Sequence, residues 1–485
     1  MTVRTELPAD LVEAANRCLM VGFAEQVASD QLRRLVAQGL GGVILSSRNV
    51  RDAEQLRALT DSLRAERLDV LVSLDGEGGG IGHVARTGAP ETPGSFALGV
   101  VDDLAATTAV ARSLAAHLVS LGITVNYAPV LDVQREPSNP IVRLRSFGAD
   151  PELVARHGRA WIQAHLECGV ASCAKHFPGH GSTTVDSHVG LPVDARSASE
   201  LVEVDLLPFR AAIDAGVDML MTAHVVYPAL DTVPATLSRR ILTDLLRGEL
   251  GFAGVVVTDA LEMKAIADQV GEAAGAASAD LVMVVKPSPE LWWGCRDSLL
   301  AAVRSGSLPA SRLVDAAGRV RELAARYATP GAVPASDPLA GLAVARRAVG
   351  GRPLPRLRRD PFVVDLFRAP HSALGWDGSD LVSQLRAVLP GADGVSFTGG
   401  PVDVSAVLAA AGDRQLVVAT HDPGLRPWQS GVREALVSAR PDTVLVSTGM
   451  PEGDEFCSFG RGRANLTAAA AMLSGPAASG GLVSG

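Results

Sequence analysis

The sequence predicts an α/β protein that consists of a (β/α)₈ barrel followed by a smaller α/β sandwich domain. Eight apolar, β-branched runs punctuate the first two thirds of the chain, and each is followed by helical periodicity. Polar residues fall at or just beyond the C-terminal ends of most of these runs, where a barrel places its active site. A stretch rich in Ala, Pro and Ser then separates this pattern from a second, shorter one.

The barrel prediction follows from the order of the elements and from their polar ends. The strand candidates are residues 18–24, 41–46, 70–75, 123–132, 171–177, 217–224, 254–261 and 279–285. The helix candidates between them include residues 53–67, 104–121, 151–168, 200–214 and 238–250. A doubly wound sheet would show the same alternation. The barrel is favoured because six strands end in polar residues that could form one ring, namely Asp75, Asp132, Lys175, His176, His224, Asp259 and Lys286.

The domain boundaries follow from the interruption of this pattern. We predict a catalytic barrel over residues 1–327, a linker over 328–338 and a C-terminal α/β sandwich domain over 339–485. In the second domain, strands are predicted at 362–366, 394–397, 415–420 and 443–447, with helices at 379–389 and 427–439. The small residues of 475–485 are typical of a frayed tail.

Composition excludes several classes of protein. The apolar fraction of 47% is ample for hydrophobic cores, and 44 basic against 53 acidic residues give a net charge of −9 with no basic patch. This balance predicts neither a nucleic-acid partner nor a membrane partner and suits a small polar ligand. Five cysteines without CxxC spacing, no signal-peptide pattern and no membrane-length apolar run predict a cytoplasmic protein with reduced thiols.

The densest chemical feature is the segment AKHFPGHGSTTVDSHVGLP, residues 174–192. Its prolines and glycines exclude a helix beyond the fifth strand, so the histidines lie on a loop at the predicted catalytic face. Asp186 and His188 are two residues apart, and in an extended loop their side chains would leave the same face and form a hydrogen bond. Such a pair poises an imidazole for proton transfer near neutral pH. The alternative is an Asx turn made by Asp186 beside an exposed histidine.

Two further residues stand at strand ends without an evident structural reason. Asp259 closes the apolar run of VVVTDALEM and should point into the barrel mouth, where a carboxylate can attack an anomeric carbon. It could instead cap the helix that follows. Lys175 would be costly to bury alone, so a ligand or a carboxylate partner is expected beside it.

A family resemblance rests on eight segments in order. They are GFAEQ, GLGGVILSSRNV, SLDGEGG, NYAPVLDV, RSFG, KHFPGHGSTTVDSHVGLP, MTAHVVYPALD and VTDALEM. Over about residues 18–265 the chain resembles glycoside hydrolase family three, and within it the bacterial β-N-acetylglucosaminidase branch.

The resemblance implies roles for individual residues. It implies that Asp259 is the nucleophile and that His188, supported by Asp186, is the acid/base. A further set is predicted to bind the sugar: Asp75, Arg145, Lys175, His176, His224 and Met263. The chain departs from the family in one segment, where DGEGGGIGHV replaces a pattern like DQEGGRVxRL and Gly80 and His83 stand in place of arginines. Because Arg offers a rigid fork of donors, this departure affects which sugar is bound.

The predicted activity is that of a retaining β-N-acetylglucosaminidase that acts on small GlcNAc-containing carbohydrates of the cell-wall recycling type and needs no metal or organic cofactor. Phosphorolysis by the same residues is the alternative, because a histidine becomes neutral after protonating the leaving group and would not repel phosphate. Two alternative functions belong to other classes of protein, namely a sugar-binding protein without catalysis and a metal-dependent barrel hydrolase. The residues available for that metal are His176, His180, His188, His224 and Asp259. Dinucleotide binding is not supported, because no glycine cluster has the GxGxxG pattern after a strand.

Overall fold

The computed structural model describes residues 7–270, 278–329, 331–351, 355–368, 378–451, 453 and 455–475. Within them the chain divides into two compact units. The first unit falls within Met1–Glu77, His83–Ala89 and Thr107–Asp337, and the second within Gly78–Gly82, Pro90–Ala106 and Pro338–Gly485. The second unit therefore includes two short segments from the first quarter of the sequence.

The first unit contains an eight-stranded parallel sheet, as a (β/α)₈ barrel requires. Its strands are β1 Leu19–Gly22, β2 Gly42–Ile44, β3 Leu71–Leu74, β4 Val125–Asn126, β5 Ala171–Phe177, β6 Met219–Thr222, β7 Val255–Val257 and β8 Val282–Val284. The order of pairing is β8-β1-β2-β3-β4-β5-β6-β7. Every residue of these strands is buried, which explains why they are continuous apolar runs rather than alternating ones.

Helices separate the strands along the chain. Their bounds are Ala9–Arg17, Asp30–Ala37, Ala53–Glu66, Ser95–Val101, Leu104–Ser120, Pro151–Cys168, Ala198–Glu200, Leu206–Asp214, Lys264–Val270, Pro289–Ser305 and Ala310–Arg326. Leu201–Asp205 and Arg240–Glu249 are π-helical. Short 3₁₀ turns lie at Ser47–Asn49, Ala85–Thr87, Arg143–Arg145 and Ala235–Leu237.

Hydroxyl and acidic side chains cap the starts of several helices. Ser29 and Asp52 accept hydrogen bonds from the backbone N–H groups three residues later. Asp150 caps the helix that begins at Pro151, where proline suits the first helical position. That helix ends at Gly169, whose φ of +76° is the left-handed conformation that glycine adopts without steric cost.

The barrel closes at a seam between its two edge strands. Val257 pairs with Leu281 in an isolated parallel bridge, and the Thr258 N–H donates to the Leu281 carbonyl at 3.0 Å. Asp280, which precedes β8, is buried and accepts a hydrogen bond from Val256 N at 2.8 Å. Its carboxylate also pairs with Arg312 at 2.9 Å and with Arg247. One carboxylate thus joins β7, the start of β8 and two flanking helices.

The second unit contains a five-stranded parallel sheet of a separate α/β fold. Its strands are β9 Phe362–Leu366, β10 Asp393–Phe397, β11 Leu416–Thr420, β12 Val444–Ser447 and β13 Phe456–Cys457, paired in the order β10-β9-β11-β12-β13. The helices after the linker region are Ala340–Ala348, Leu381–Val388, Val404–Ala411, Pro427–Ala439 and Arg463–Leu473, with a 3₁₀ turn at Pro423–Leu425. Two apolar clusters pack on this sheet, so the unit has its own core.

The fold class predicted from the sequence is confirmed, with local differences. Predicted strand 123–132 forms a continuous strand only at Val125–Asn126, and Val130 then pairs with Lys175 in an isolated parallel bridge. Pro129, which lacks an N–H, lies between them. Predicted helices 200–214 and 238–250 are partly or wholly π-helical. The strand β13 was not predicted. Of the predicted frayed tail, residues 476–485 lie outside the described residues.

Two other sequence expectations can be compared with the described residues. All five cysteines are buried and none is disulfide-bonded, in agreement with the expectation of core thiols. In the part of the chain that is described, no helix combines the length and apolar character that a bilayer crossing requires.

Replacing Asp280 tests the importance of the seam. In Asp280→Ala, Arg247 and Arg312 lose a buried carboxylate and Val256 N loses its side-chain acceptor. We expect the free energy of unfolding to fall by about 3–5 kcal/mol, the typical cost of breaking a buried ion pair from one side. Urea unfolding followed by circular dichroism would measure this change.

Asp315 provides the matched control, because it pairs with Arg312 and Arg319 while about half of its side chain is exposed. Asp315→Ala should cost less than about 1 kcal/mol. Equal losses in the two variants would contradict a special role for the seam carboxylate.

Candidate active site

The barrel places most of the predicted site residues at the C-terminal ends of its strands. Asp75 directly follows β3, and Lys175 and His176 lie within the last three residues of β5. His224 and Asp259 lie two residues beyond β6 and β7. Because parallel strands end at the same mouth of a barrel, these side chains share one face of the first unit.

Lys175 is almost fully buried and lies between two carboxylates. Its Nζ is 2.5 Å from Asp75 Oδ1 and 2.6 Å from Glu77 Oε1, with 3% of the lysine side chain exposed. Burial would lower the pKa of Lys175, but the two carboxylates outweigh burial and hold the pKa above its usual range. The expected carboxylate partner of this lysine is therefore confirmed, and Lys175 is charged.

Arg145 completes the charge balance of this cluster. Its Nε and Nη2 each donate to Glu77 at 2.8 Å in a bidentate pair, and Nη2 is 3.4 Å from His176 Nε2. Two carboxylates and two cations sum to no net charge. The cluster therefore presents fixed donors and acceptors without a strong field, which suits the hydroxyl groups of a neutral sugar.

The end of β5 is organised by the buried carboxylate of Asp132. Its Oδ2 is 2.7 Å from His176 Nδ1, and its Oδ1 accepts the backbone N–H groups of His176 at 3.1 Å and His180 at 2.7 Å. Burial would raise the pKa of Asp132, but His176, His180 and these hydrogen bonds lower it below its usual value. The ionised carboxylate orients the His176 ring towards Arg145.

Asp186 and His188 form the predicted hydrogen bond, but through a turn rather than an extended loop. Asp186 Oδ1 is 2.8 Å from His188 Nδ1 and also accepts the His188 backbone N–H at 2.9 Å. The backbone N–H groups of Val189 and Gly190 donate to the Asp186 carbonyl, which closes the turn. The structure thus combines the predicted Asp186–His188 hydrogen bond with the side-chain-to-backbone bond of an Asx turn.

The pair of Asp186 and His188, the dyad, is electrostatically suited to proton transfer. The hydrogen bond that His188 Nδ1 donates to Asp186 raises the pKa of His188 despite the opposing effect of burial, and the negative charge of Asp259 raises this pKa further. About one third of each side chain is exposed, 32% for His188 and 29% for Asp186. Because Asp186 engages Nδ1, the other ring nitrogen, Nε2, is the atom that would exchange a proton with a substrate.

Asp259 is ionised under the influence of the surrounding histidines. Burial would raise its pKa, but the charges of His224, His176 and His188 and the hydrogen bond from Ala260 N lower it. The Ala260 N–H donates to Oδ1 at 2.8 Å. An ionised carboxylate at a strand end is the form that can act as a nucleophile.

The remaining two predicted binding residues have protein partners in this structure. Both ring nitrogens of His224 are engaged, Nδ1 with Thr236 Oγ1 at 2.7 Å and Nε2 as donor to the Ala260 carbonyl at 3.0 Å. This second bond braces the backbone next to Asp259. Met263 is 7% exposed and belongs to the apolar cluster inside the barrel, together with Tyr127.

His83, one of the two residues that depart from the family pattern, lies within electrostatic reach of Asp75. His83 is buried, and its Nδ1 accepts the Ser47 backbone N–H at 3.0 Å. Burial lowers the pKa of His83, so this position holds a neutral ring where the family pattern has a cation. At Gly80, an added Cβ would meet no atom within 4 Å.

The histidines that could have formed a metal centre are mostly engaged with other groups. His176 is bonded to Asp132, His180 to Thr183 and His224 to Thr236. Among the described residues, no group of three or more His, Cys, Asp or Glu side chains has the arrangement of a metal site.

Sequence reasoning gave no role to Glu77 and Asp132, each of which contacts two residues at the ends of the strands or on the loop. Glu77 contacts both Lys175 and Arg145, and Asp132 contacts both His176 and His180. A signal for Glu77 was available, since it lies two residues beyond Asp75 after an apolar strand. Asp132 was recognised only as a polar residue at a strand end.

Comparison with known proteins identifies the family. A model described as the glycosyl hydrolase family 3 N-terminal domain matches residues 12–323. The chain belongs to glycosyl hydrolase family 3. The resemblance stated from the motifs is thereby confirmed, and this family 3 chain is a glycoside hydrolase.

Several bacterial proteins are similar to this family 3 chain. It is 37% identical over 348 residues to a beta-hexosaminidase of Chromobacterium violaceum, an alignment that covers 68% of this chain and 95% of that protein. It is 40% identical over 262 residues to beta-hexosaminidase A of Pseudoalteromonas piscicida, covering 49% of this chain and only 44% of that protein. A solved structure of a glycoside hydrolase family 3 beta-N-acetylglucosaminidase from Paenibacillus sp. str. FPU-7 matches with a TM-score of 0.86, 31% identity and 97% coverage of both chains.

Removing the Asp186 charge should change the titration of His188. In Asp186→Asn, the hydrogen bond that raises the His188 pKa is weakened and the negative charge beside the ring is lost, so we expect that pKa to fall. Titration of the His188 ring by carbon-detected NMR would measure the shift.

Asp150→Asn is the matched control, because Asp150 also accepts a backbone N–H two residues ahead but is exposed and distant in sequence from the dyad. It should leave the His188 titration unchanged. An unaltered His188 pKa in Asp186→Asn would show that the pair is not electrostatically coupled.

Proposed function

We propose that this family 3 hydrolase is a retaining β-N-acetylglucosaminidase in which Asp259 is the nucleophile and His188, oriented by Asp186, is the acid/base. The observation that carries the proposal is the 2.8 Å hydrogen bond between His188 Nδ1 and Asp186 Oδ1, with the His188 pKa raised by that bond. The names of the relatives in Chromobacterium and Paenibacillus support the choice of sugar. The substrate is a small GlcNAc-containing carbohydrate.

The first chemical step breaks the glycosidic bond. The Asp259 carboxylate attacks the anomeric carbon while the protonated His188 gives its Nε2 proton to the departing glycosidic oxygen. The bond from carbon to the leaving oxygen breaks as the bond to Asp259 forms, through an oxocarbenium-like transition state. Asp186 favours the charged imidazolium before this transfer and holds the ring afterwards.

The second step releases the sugar. His188 is now neutral, and its Nε2 accepts a proton from a water molecule as that water attacks the anomeric carbon. The bond to Asp259 breaks, the carboxylate is restored, and the product keeps its original configuration. The histidine returns to its charged form, so protons balance over the cycle.

The charge-balanced cluster beside the nucleophile provides the sugar site. Lys175 and Arg145 offer donors, and Asp75 and Glu77 offer acceptors, all held by their mutual contacts at 2.5–2.8 Å. His176 adds a ring oriented by Asp132. We include Glu77 in the sugar site on the basis of these contacts. The neutral His83 offers no cation to an anionic group of the substrate.

Loss of either reacting group should abolish efficient turnover. We expect Asp259→Ala to lower kcat with an aryl β-N-acetylglucosaminide on the order of 10⁴-fold or more, because no covalent intermediate can form. His188→Ala should lower it about 10²–10⁴-fold, the usual worth of a general acid/base. Release of the aryl alcohol would be followed by absorbance.

Asp61→Ala is the control, since this carboxylate is about half exposed on the helix Ala53–Glu66 and should not affect turnover. Full turnover in both Asp259→Ala and His188→Ala would refute the mechanism. It would leave a sugar-binding protein or a different active centre.

Phosphorolysis is a second candidate because His188 is neutral in the covalent glycosyl-enzyme, the stage at which water or phosphate attacks. A carboxylate acid/base would be anionic at this stage and would repel phosphate. We nevertheless expect hydrolysis, so GlcNAc should be the main product with and without inorganic phosphate. Chromatography of the products would decide, and GlcNAc 1-phosphate as the dominant product would overturn the assignment.

A further inference from the structure

Ser187, the residue between the two members of the dyad, is buried while its neighbours are partly exposed. It is 3% exposed, against about one third for the Asp186 and His188 side chains. Its hydroxyl is 3.3 Å from His180 Nε2, and its carbonyl accepts the Ala265 N–H at 3.3 Å. Ser187 is thus bonded both to the start of its own loop and to the segment that follows Asp259.

His180 at the other end of this contact is a fully engaged neutral ring. Its Nδ1 is 2.6 Å from Thr183 Oγ1 and its Nε2 contacts Ser187. Burial lowers the pKa of His180 to about 4, so at neutral pH one ring nitrogen donates and the other accepts. The Thr183 hydroxyl donates to the His180 carbonyl at 3.1 Å, so Nδ1 is the donor to Thr183 and Nε2 accepts from the Ser187 hydroxyl.

The position of His180 is itself determined by the barrel. Its backbone N–H donates to Asp132 Oδ1 at 2.7 Å, and its carbonyl accepts from Asn139 Nδ2 at 2.9 Å. The next residue must be glycine, because a Cβ at Gly181 would lie 1.8 Å from the Val133 carbonyl oxygen. The chain of contacts from Asp132 through His180 to Ser187 therefore has little freedom.

We propose that Ser187, held by His180, is a positioning residue that sets the place of His188 relative to Asp259. The inference rests on the proposed function, since it assigns the positioning of the proposed acid/base. Ser187 exchanges no proton with the substrate. It anchors the turn so that the His188 ring, held by Asp186, reaches the glycosidic oxygen in one geometry, and small displacements of a reacting group are costly.

The substrate's leaving group distinguishes positioning of the acid from a general structural role. A 2,4-dinitrophenolate leaves without protonation, whereas a sugar alcohol must receive a proton as it departs. Misplacing His188 should therefore slow cleavage of a disaccharide and spare cleavage of a dinitrophenyl glycoside. A general loss of structure would slow both to the same extent.

The experiment compares Ser187→Ala with the wild-type chain on N,N′-diacetylchitobiose and on 2,4-dinitrophenyl β-N-acetylglucosaminide. We expect kcat/KM to fall about tenfold for the disaccharide and to stay within about twofold for the dinitrophenyl substrate. Ser182→Ala is the matched control on the same loop, because the Ser182 hydroxyl is buried without a hydrogen-bond partner among the described residues. It should change neither value.

A second variant protects the test against local misfolding. His180→Asn keeps a polar group near the Nδ1 position that faces Thr183 but is too short to reach Ser187. It should reproduce the leaving-group selectivity of Ser187→Ala. Equal losses on both substrates, or no loss on either, would overturn the positioning role.

His188→Ala separates failure of this inference from failure of the proposed function. It should show the same leaving-group selectivity with a larger loss on the disaccharide. If His188→Ala is selective and Ser187→Ala is not, the positioning role alone is wrong. If His188→Ala shows no selectivity, the acid/base assignment fails and the inference fails with it.

Discussion

The carboxylate of Asp132 is the contact on which the organisation of the candidate site depends. It is fully buried, yet ionised, because it accepts hydrogen bonds from the His176 ring and from two backbone N–H groups. A buried charge without such donors would be too costly to retain. The same three hydrogen bonds hold the C-terminal end of β5, orient the His176 ring and fix the backbone of His180 in the loop that follows. The dyad is held, through Ser187, at the far end of this arrangement.

A second buried charge organises the proposed sugar site. Lys175 can be charged inside the barrel mouth only because Asp75 and Glu77 compensate it, and Glu77 can be buried only because Arg145 compensates it in turn. Each of these groups therefore stabilises the ionised form of the next. The consequence is a rigid set of donors and acceptors that is in place before a ligand arrives, which lowers the ordering cost of binding.

The dyad differs from these buried clusters in its exposure. Asp186 and His188 remain accessible at the turn, while the residue between them is buried. This division of roles reconciles two needs of an acid/base, because the proton-transferring ring must reach the substrate and its backbone must stay in place. It also explains why the aspartate bonds both the ring and the backbone of the histidine, since one carboxylate then orients the side chain and stabilises the turn.

The sequence by itself determined the features that depend on local rules. Runs of apolar residues predict buried parallel strands, periodic apolar residues predict helices such as 53–67 and 151–168, and the KHFPGHG…DSH segment predicts a catalytic loop of family 3. The tertiary structure alone decided which charges meet. Glu77 and Arg145 are separated by 68 residues and Asp132 and His176 by 44, so no local pattern predicts those pairs. The loop sequence also does not show that Ser187 is buried, because its burial depends on contacts with His180 and Ala265.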